Sequence, residues 1–225
     1  IIVALKNTER YFFLMIKNEN VSKADRTRQQ IIEAAAVVFN KKGYAGTSIS
    51  DITKVTGLTK GSIYGNFRDK DDLALCAFHF NAERVTDVFR IGLKKRRSAI
   101  DTLMVIPQTF RLIFNDIVEN GGCPILNTLL EADDTNKVLY LEAKKAIYKL
   151  NKIIMIAIEN GKKNGEISPG VKAQAISHNV ISLIEGASAM SKTMNDSNYF
   201  YDALDYVEQL IRSIQQSNVC VEHCV

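Results

Sequence analysis

The sequence predicts an all-α fold, and three observations carry that prediction. Apolar residues recur at helical spacing along most of the chain, as at Ile31, Ile32, Ala35, Val38 and Phe39. No segment alternates apolar and polar residues over the length of a strand. Only 12 Gly and 3 Pro among 225 residues leave too few turn-formers for a fold of many short strands. With 46% apolar and 24% charged residues, the composition excludes a disordered chain. The length suffices for one core or for two small ones.

The elements follow in order. A first helix is expected over residues 23–42, where Lys41, Lys42 and Gly43 read as a C-terminus: cations at the negative end of the dipole, then a capping glycine. Thr47 and Ser48 offer an N-cap, and Asp51 falls in the first turn of a short helix over 49–56, which Gly57 stops. A second short helix is expected over 60–67. Asp69, Asp71 and Asp72 open a longer one that runs to about residue 91. Beyond it, residues 99–120 read as a helix with Pro107 inside as an expected kink. Gly121 and Gly122 break it, and Pro124 suits the first turn of a short helix. Long amphipathic helices are expected over 135–163, 171–192 and 199–217.

The formal charge of +4 is unevenly spread. Basic residues gather in residues 22–97, while the remainder leans acidic, which suits a first third that meets a polyanion. Lys94, Lys95, Arg96 and Arg97 are read as a solvated linker. The four cysteines show no disulfide-scaffold spacing, so a reducing, cytoplasmic setting is expected. No apolar run approaches the about 18 residues of a membrane span, so no membrane partner is expected. Residues 1–21 open with Ile and hold two apolar bursts split by charge. They are read as an N-terminal extension, loose or non-native, with Met15 a candidate start.

The informative stretch is residues 47–73. Two short helices about a Gly-bearing turn make a helix-turn-helix, whose second helix enters the major groove of DNA. Thr59, Lys60, Ser62, Tyr64 and Asn66 crowd donors and acceptors onto that helix, and Gly61 and Gly65 lack side chains that would hold it off the duplex. Ser48, at the N-terminus of the first short helix, can offer its hydroxyl and nearby backbone amides to a phosphate. Lys70 can pair with another. Ile52, Val55, Leu58, Ile63 and Phe67 are the apolar residues expected to lock the helices together.

With Phe39, Gly43, Tyr44, Thr47, Ser48, Ile52, Thr56, the run from Gly57 to Tyr64, Asn66, Phe67, Lys70 and Leu73, this stretch resembles the TetR family of bacterial transcriptional regulators. The resemblance covers about residues 25–85. It departs at Asn66, where the family often carries His, and at Gly65, often aromatic or polar. Gly121, Gly122, Cys123 and Pro124 look like a motif of one functionally mixed branch of the family's regulatory domains. The resemblance implies a three-helix DNA-binding domain over 22–85, with the helix-turn-helix motif at about 48–67. It also implies a ligand-binding and dimerisation domain over 86–217 and a tail over 218–225. Its partners would be a double-stranded DNA operator, a second copy of the chain and a small-molecule effector, with repression released by the effector.

An architectural or activating DNA binder without an effector is the alternative, disfavoured by the long helices of residues 99–215. An enzyme is not expected: the chain has no phosphate-cradling Gly-rich loop, H-E-x-x-H or G-x-S-x-G. No cofactor and no metal is expected. Cys220, His223 and Cys224 supply three ligands where a structural zinc takes four. Cys123 has no cation beside it in sequence and reads as core packing rather than a reactive thiol. His79 and His178 have no carboxylate at useful spacing. Arg111, Asn115, Tyr140, Tyr148 and His178 are the candidates to point polar groups into an otherwise apolar effector pocket.

Overall fold

The computed structural model describes residues 22–93 and 98–216. The readings of residues 1–21, of the basic run at 94–97, and of the tail with Cys220, His223 and Cys224 lie outside those residues. In order, the helices are α1 (Lys23–Gly46), α2 (Ile49–Thr56), α3 (Lys60–Asn66), α4 (Lys70–Leu93), α5 (Ala99–Glu119), α6 (Pro124–Ala132), α7 (Lys137–Lys163), α8 (Ala173–Met194) and α9 (Asn198–Ser213). Among the described residues the extended pairing is an isolated antiparallel bridge between Ile167 and Gln215.

The chain divides into two compact units. One comprises residues 22–88 and 124–144, the other residues 89–123 and 145–216. The first break lies near the expected boundary at residue 85. The second was not legible: α6 and the start of α7 return to the first unit, because α6 packs against α1.

In the first unit, each short helix is fixed by local caps. Ser22 accepts from the Asp25 N–H and starts α1. Gly43 interrupts α1 at φ 76°, in the left-handed region where a side chain is strained, and Tyr44–Gly46 add one more turn. Ser48 and Asp51 form a reciprocal capping box on α2, and Gly57 closes it at φ 69°. Thr59 caps α3 by accepting from the Ser62 N–H. Ile31, Ala35, Ile52, Ile63, Phe67 and Leu73 meet in the core. Val55 does not: it is 56% exposed. It lies three residues beyond Ile52, so the 3.6-residue period rotates it about 60° off the buried stripe at the end of a short helix.

In the second unit, α5 continues through the buried Pro107 to Glu119. Its N-terminus is capped twice. Ser98 accepts from the Asp101 N–H, and Glu166 Oε2 accepts from the Ala99 N–H at 2.6 Å. Gly161 of α7 lets these elements close, since a Cβ there would stand 2.6 Å from Ala99 Cβ and from Ile167 Cδ1. Phe200, Leu204, Val207 and Ile211 form the buried stripe of α9, as the spacing requires. Phe200 stacks on Phe114 of α5 with ring centroids 4.3 Å apart. On α8, Ser188 faces this unit's own core, whereas Gly186 and Ala189 are exposed.

Candidate nucleic-acid interface

Helix α3 is held from below and open above. Ile63 and the following Phe67 are buried, while Thr59, Lys60, Gly61, Tyr64 and Gly65 are exposed, Tyr64 by 53%. Gly61 and Gly65, each two residues from Ile63, lie on the face opposite it, with Tyr64 at the edge of that face and Thr59 and Lys60 exposed at the helix's N-terminal end. The two glycines have no internal reason to be there. A Cβ at Gly65 would meet nothing within 4 Å, and one at Gly61 only the Thr59 hydroxyl at 3.8 Å. Glycine inside a helix costs about 1 kcal/mol relative to alanine. Two such residues on seven positions leave that face of α3 bare of side chains.

Other expected contacts are already occupied. Asn66 is half-buried and folds back, its Nδ2 donating to the Ser62 carbonyl at 2.9 Å. Ser48 donates both its N–H and its hydroxyl to Asp51 Oδ2, at 2.9 and 2.6 Å. A phosphate reaching the Ser48 hydroxyl must therefore compete with Asp51. The Lys42 ammonium, 2.7 Å from Asp51, together with the Ser48 donors holds that exposed carboxyl well below the usual carboxylate range. Lys70 is a strut: two of its three donors go to the Tyr44 and Thr47 carbonyls at 2.8 and 3.1 Å. Its ammonium also lies 4.1 Å from the centre of the Tyr44 ring. The Tyr44 hydroxyl donates to Asp71, and partial burial with that carboxylate pushes its pKa up to about 12.

Sequence reasoning missed the support behind this surface. The Glu131 carboxylate of α6 accepts from the Tyr44 N–H at 2.7 Å and the Ala45 N–H at 2.8 Å. Asn127 Nδ2 donates to Asn40 Oδ1 at 3.0 Å. Beside them a small cavity, of roughly 30 Å³, is lined by Asn40, Tyr44, Asn81, Asn127 and Glu131 among others. It has room for about one or two waters and is far too small for an effector. His79 does have a carboxylate partner, Glu142, at 3.2 Å, but it stands 63 residues away in sequence.

The five residues expected to line an effector pocket are divided between the two units. Tyr140 is half-buried in the first unit; the other four belong to the second. There Arg111 is engaged by Asp205 at 2.5 Å and Glu208 at 3.3 Å. Asn115, Tyr148 and His178 are exposed. The cause is helical phase: Asn115 follows the buried Phe114, and His178 the buried Ser177, by a single residue, which turns each by about 100°. Among the described residues of this unit a buried carboxylate is instead Glu185, beside Cys123, whose thiol donates to Glu185 Oε1 at 3.3 Å. Among the described residues no helix is long and apolar enough to cross a membrane.

Comparison with known proteins bears on both units. Residues 31–76 match the family described as bacterial regulatory proteins, tetR family. Residues 99–207 match the tetracyclin repressor-like C-terminal domain. The fold is similar to that of a TetR transcriptional regulator from Chloroflexus aurantiacus J-10-FL, with a TM-score of 0.80 and 34% identity, over 87% of this chain and 99% of that one. A TetR-family regulator from Cytophaga hutchinsonii is 37% identical at a TM-score of 0.79, over 88% and 100%. The fatty acid metabolism regulator protein of Bacillus subtilis (strain 168) is 26% identical over 176 residues, 78% of this chain and 88% of that one.

Proposed function

The chain belongs to the TetR family of bacterial regulatory proteins, DNA-binding regulators of transcription, and from that premise we propose that it is a repressor released from a near-palindromic operator by a small, mostly apolar effector. The observation that carries the DNA-reading role is the bare face of α3, where Gly61 and Gly65 serve no packing need. Lys60 and Tyr64 flank them and are the residues proposed to touch DNA, with Thr59 and Ser62 beside them. Ser48 and Lys70 contribute chiefly by holding the ends of α2 and α4.

A homodimer is part of the proposal. One seven-residue helix reads too few base pairs for specificity, and a two-fold pair reads two half-sites. Met190 and Met194 of α8 and Tyr199 and Tyr206 of α9 are exposed and support this surface as the one that pairs. An apolar effector is in keeping with the interior of α5, where Leu103, Met104, Ile106 and Phe110 are buried. The relative named for fatty acid metabolism is in keeping with it too. The protein would act on cytoplasmic DNA.

Lys60→Ala and Tyr64→Ala test the reading on a duplex recovered by selecting the wild-type protein against a random-sequence library. Both side chains are exposed, so the melting temperature should stay within about 2 °C. Each variant should bind more weakly. A lost phosphate contact should lower the salt slope by about one, and a lost base contact should relax specificity at one position. Wild-type affinity in both variants contradicts the assignment of α3.

A further inference from the structure

We infer that Glu131 is a positioning residue for DNA binding, its carboxylate clamping the turn from which α2 and α3 are hung. The inference rests on the regulator reading above and adds to it a residue outside the helix-turn-helix. Gly43 at φ 76° turns the chain so that the next two N–H groups, of Tyr44 and Ala45, point the same way. Such a pair of amides is an anion site. Here it is filled from α6 by Glu131, at 2.7 and 2.8 Å. The fit is close: a Cβ on residue 43 would stand 2.4 Å from both carboxylate oxygens.

The same turn carries the opposite charge on its other side. The Tyr44 and Thr47 carbonyls accept from the Lys70 ammonium, which ties the turn to the start of α4. Thr47 Oγ1 donates to the Gly43 carbonyl at 2.6 Å, and Ser48, the next residue, begins α2. The segment from Gly43 to Ser48 is thus held by an anion on its N–H groups and a cation on its carbonyls. Removing the anion leaves two amides without their acceptor and lets the start of α2 shift relative to α4. Asn127, one helical turn before Glu131, bonds Asn40 and keeps α6 in register with α1.

The sign of the effect separates positioning from simple charge. Glu131 is an anion in a unit that binds a polyanion, so electrostatics alone makes Glu131→Gln bind DNA more tightly. A clamp makes it bind more weakly. The experiment measures binding of the selected duplex by wild type, Glu131→Gln and Glu131→Ala, the last with and without formate, using chloride at matched ionic strength as control. We expect Glu131→Ala to bind at least about tenfold more weakly. Formate, a carboxylate small enough for the vacated site, should restore much of that loss. Glu131→Gln, which keeps the side-chain shape, should show an intermediate loss. Amide exchange at Tyr44 and Ala45 should accelerate in Glu131→Ala. Binding by Glu131→Gln at or above wild-type affinity overturns the inference, as does a loss in Glu131→Ala that formate leaves untouched. Neither result touches the regulator reading, which fails separately if wild type selects no duplex.

Discussion

Phe200→Ala is expected to destabilise the protein by about 3–5 kcal/mol. Phe200 is fully buried, stacked on Phe114 at 4.3 Å and set edge-on to Phe110 at 6.3 Å between ring centroids. It therefore joins α9 to α5 through one side chain. Its truncation loses the transfer energy of the ring and leaves a cavity that the stiff aromatic neighbours cannot collapse to fill. Against a total stability of about 5–15 kcal/mol the loss is large enough to unfold a marginal domain. Urea unfolding followed by circular dichroism reads it as a lower midpoint at unchanged slope. A loss below about 1 kcal/mol would contradict the central place given to this residue.

Glu185→Met is expected to act in the opposite direction. Glu185 is 9% exposed, and among the described residues its Oε2 has no hydrogen-bond partner. Burial pushes its carboxyl up from the ordinary range, against the lesser, opposing effect of the Cys123 thiol's hydrogen bond. An acid whose folded pKa is raised holds its proton longer in the native state. Its contribution to stability is therefore full below the unfolded value and is lost as pH rises through the folded one. At neutral pH, replacing it with methionine of similar length removes both the ionisation penalty and an orphaned polar atom. The gain should be about 1–3 kcal/mol. The Cys123 thiol, a weak donor, loses little. Thermal melts of both proteins between pH 4 and 8 should show the variant's advantage widening as pH rises. A Glu185→Met protein less stable than wild type at pH 7 would mean that this carboxylate has a partner in solution.

What the sequence disclosed and what it hid divides along distance. Capping is local, so Ser48 with Asp51, and Gly57, could be read from spacings of a few residues, and α2 has the expected bounds. The buried stripe of α9 was legible for the same reason: Phe200, Leu204, Val207 and Ile211 repeat at helical period. Helix ends were less so. α7 begins at Lys137 rather than at residue 135, because the Asn136 side chain caps the Leu139 N–H. Val55 shows the limit of periodicity in a short helix, where the last turn extends past its neighbours.

The hidden part is the pairing of distant polar groups. Glu131 meets Tyr44 across 87 residues, Arg111 meets Asp205 across 94, and Cys123 meets Glu185 across 62. No local pattern encodes such partners. The one signal present was Gly43, legible as a helix stop though not as the bed of a carboxylate. Which of the candidate pocket residues face inward is hidden for a related reason: residue type does not fix helical phase, and that phase leaves Asn115, Tyr148 and His178 exposed.

The central claim is that two copies of this chain place their α3 helices in successive major grooves of one duplex. Hydroxyl-radical footprinting of the selected duplex tests it most directly. The account predicts two protected patches on one face of the DNA, with centres about 34 Å apart or a multiple of that turn, both lost in the Lys60→Ala, Tyr64→Ala double variant. Protection at one patch only, or uniform protection that the double variant retains, would contradict it.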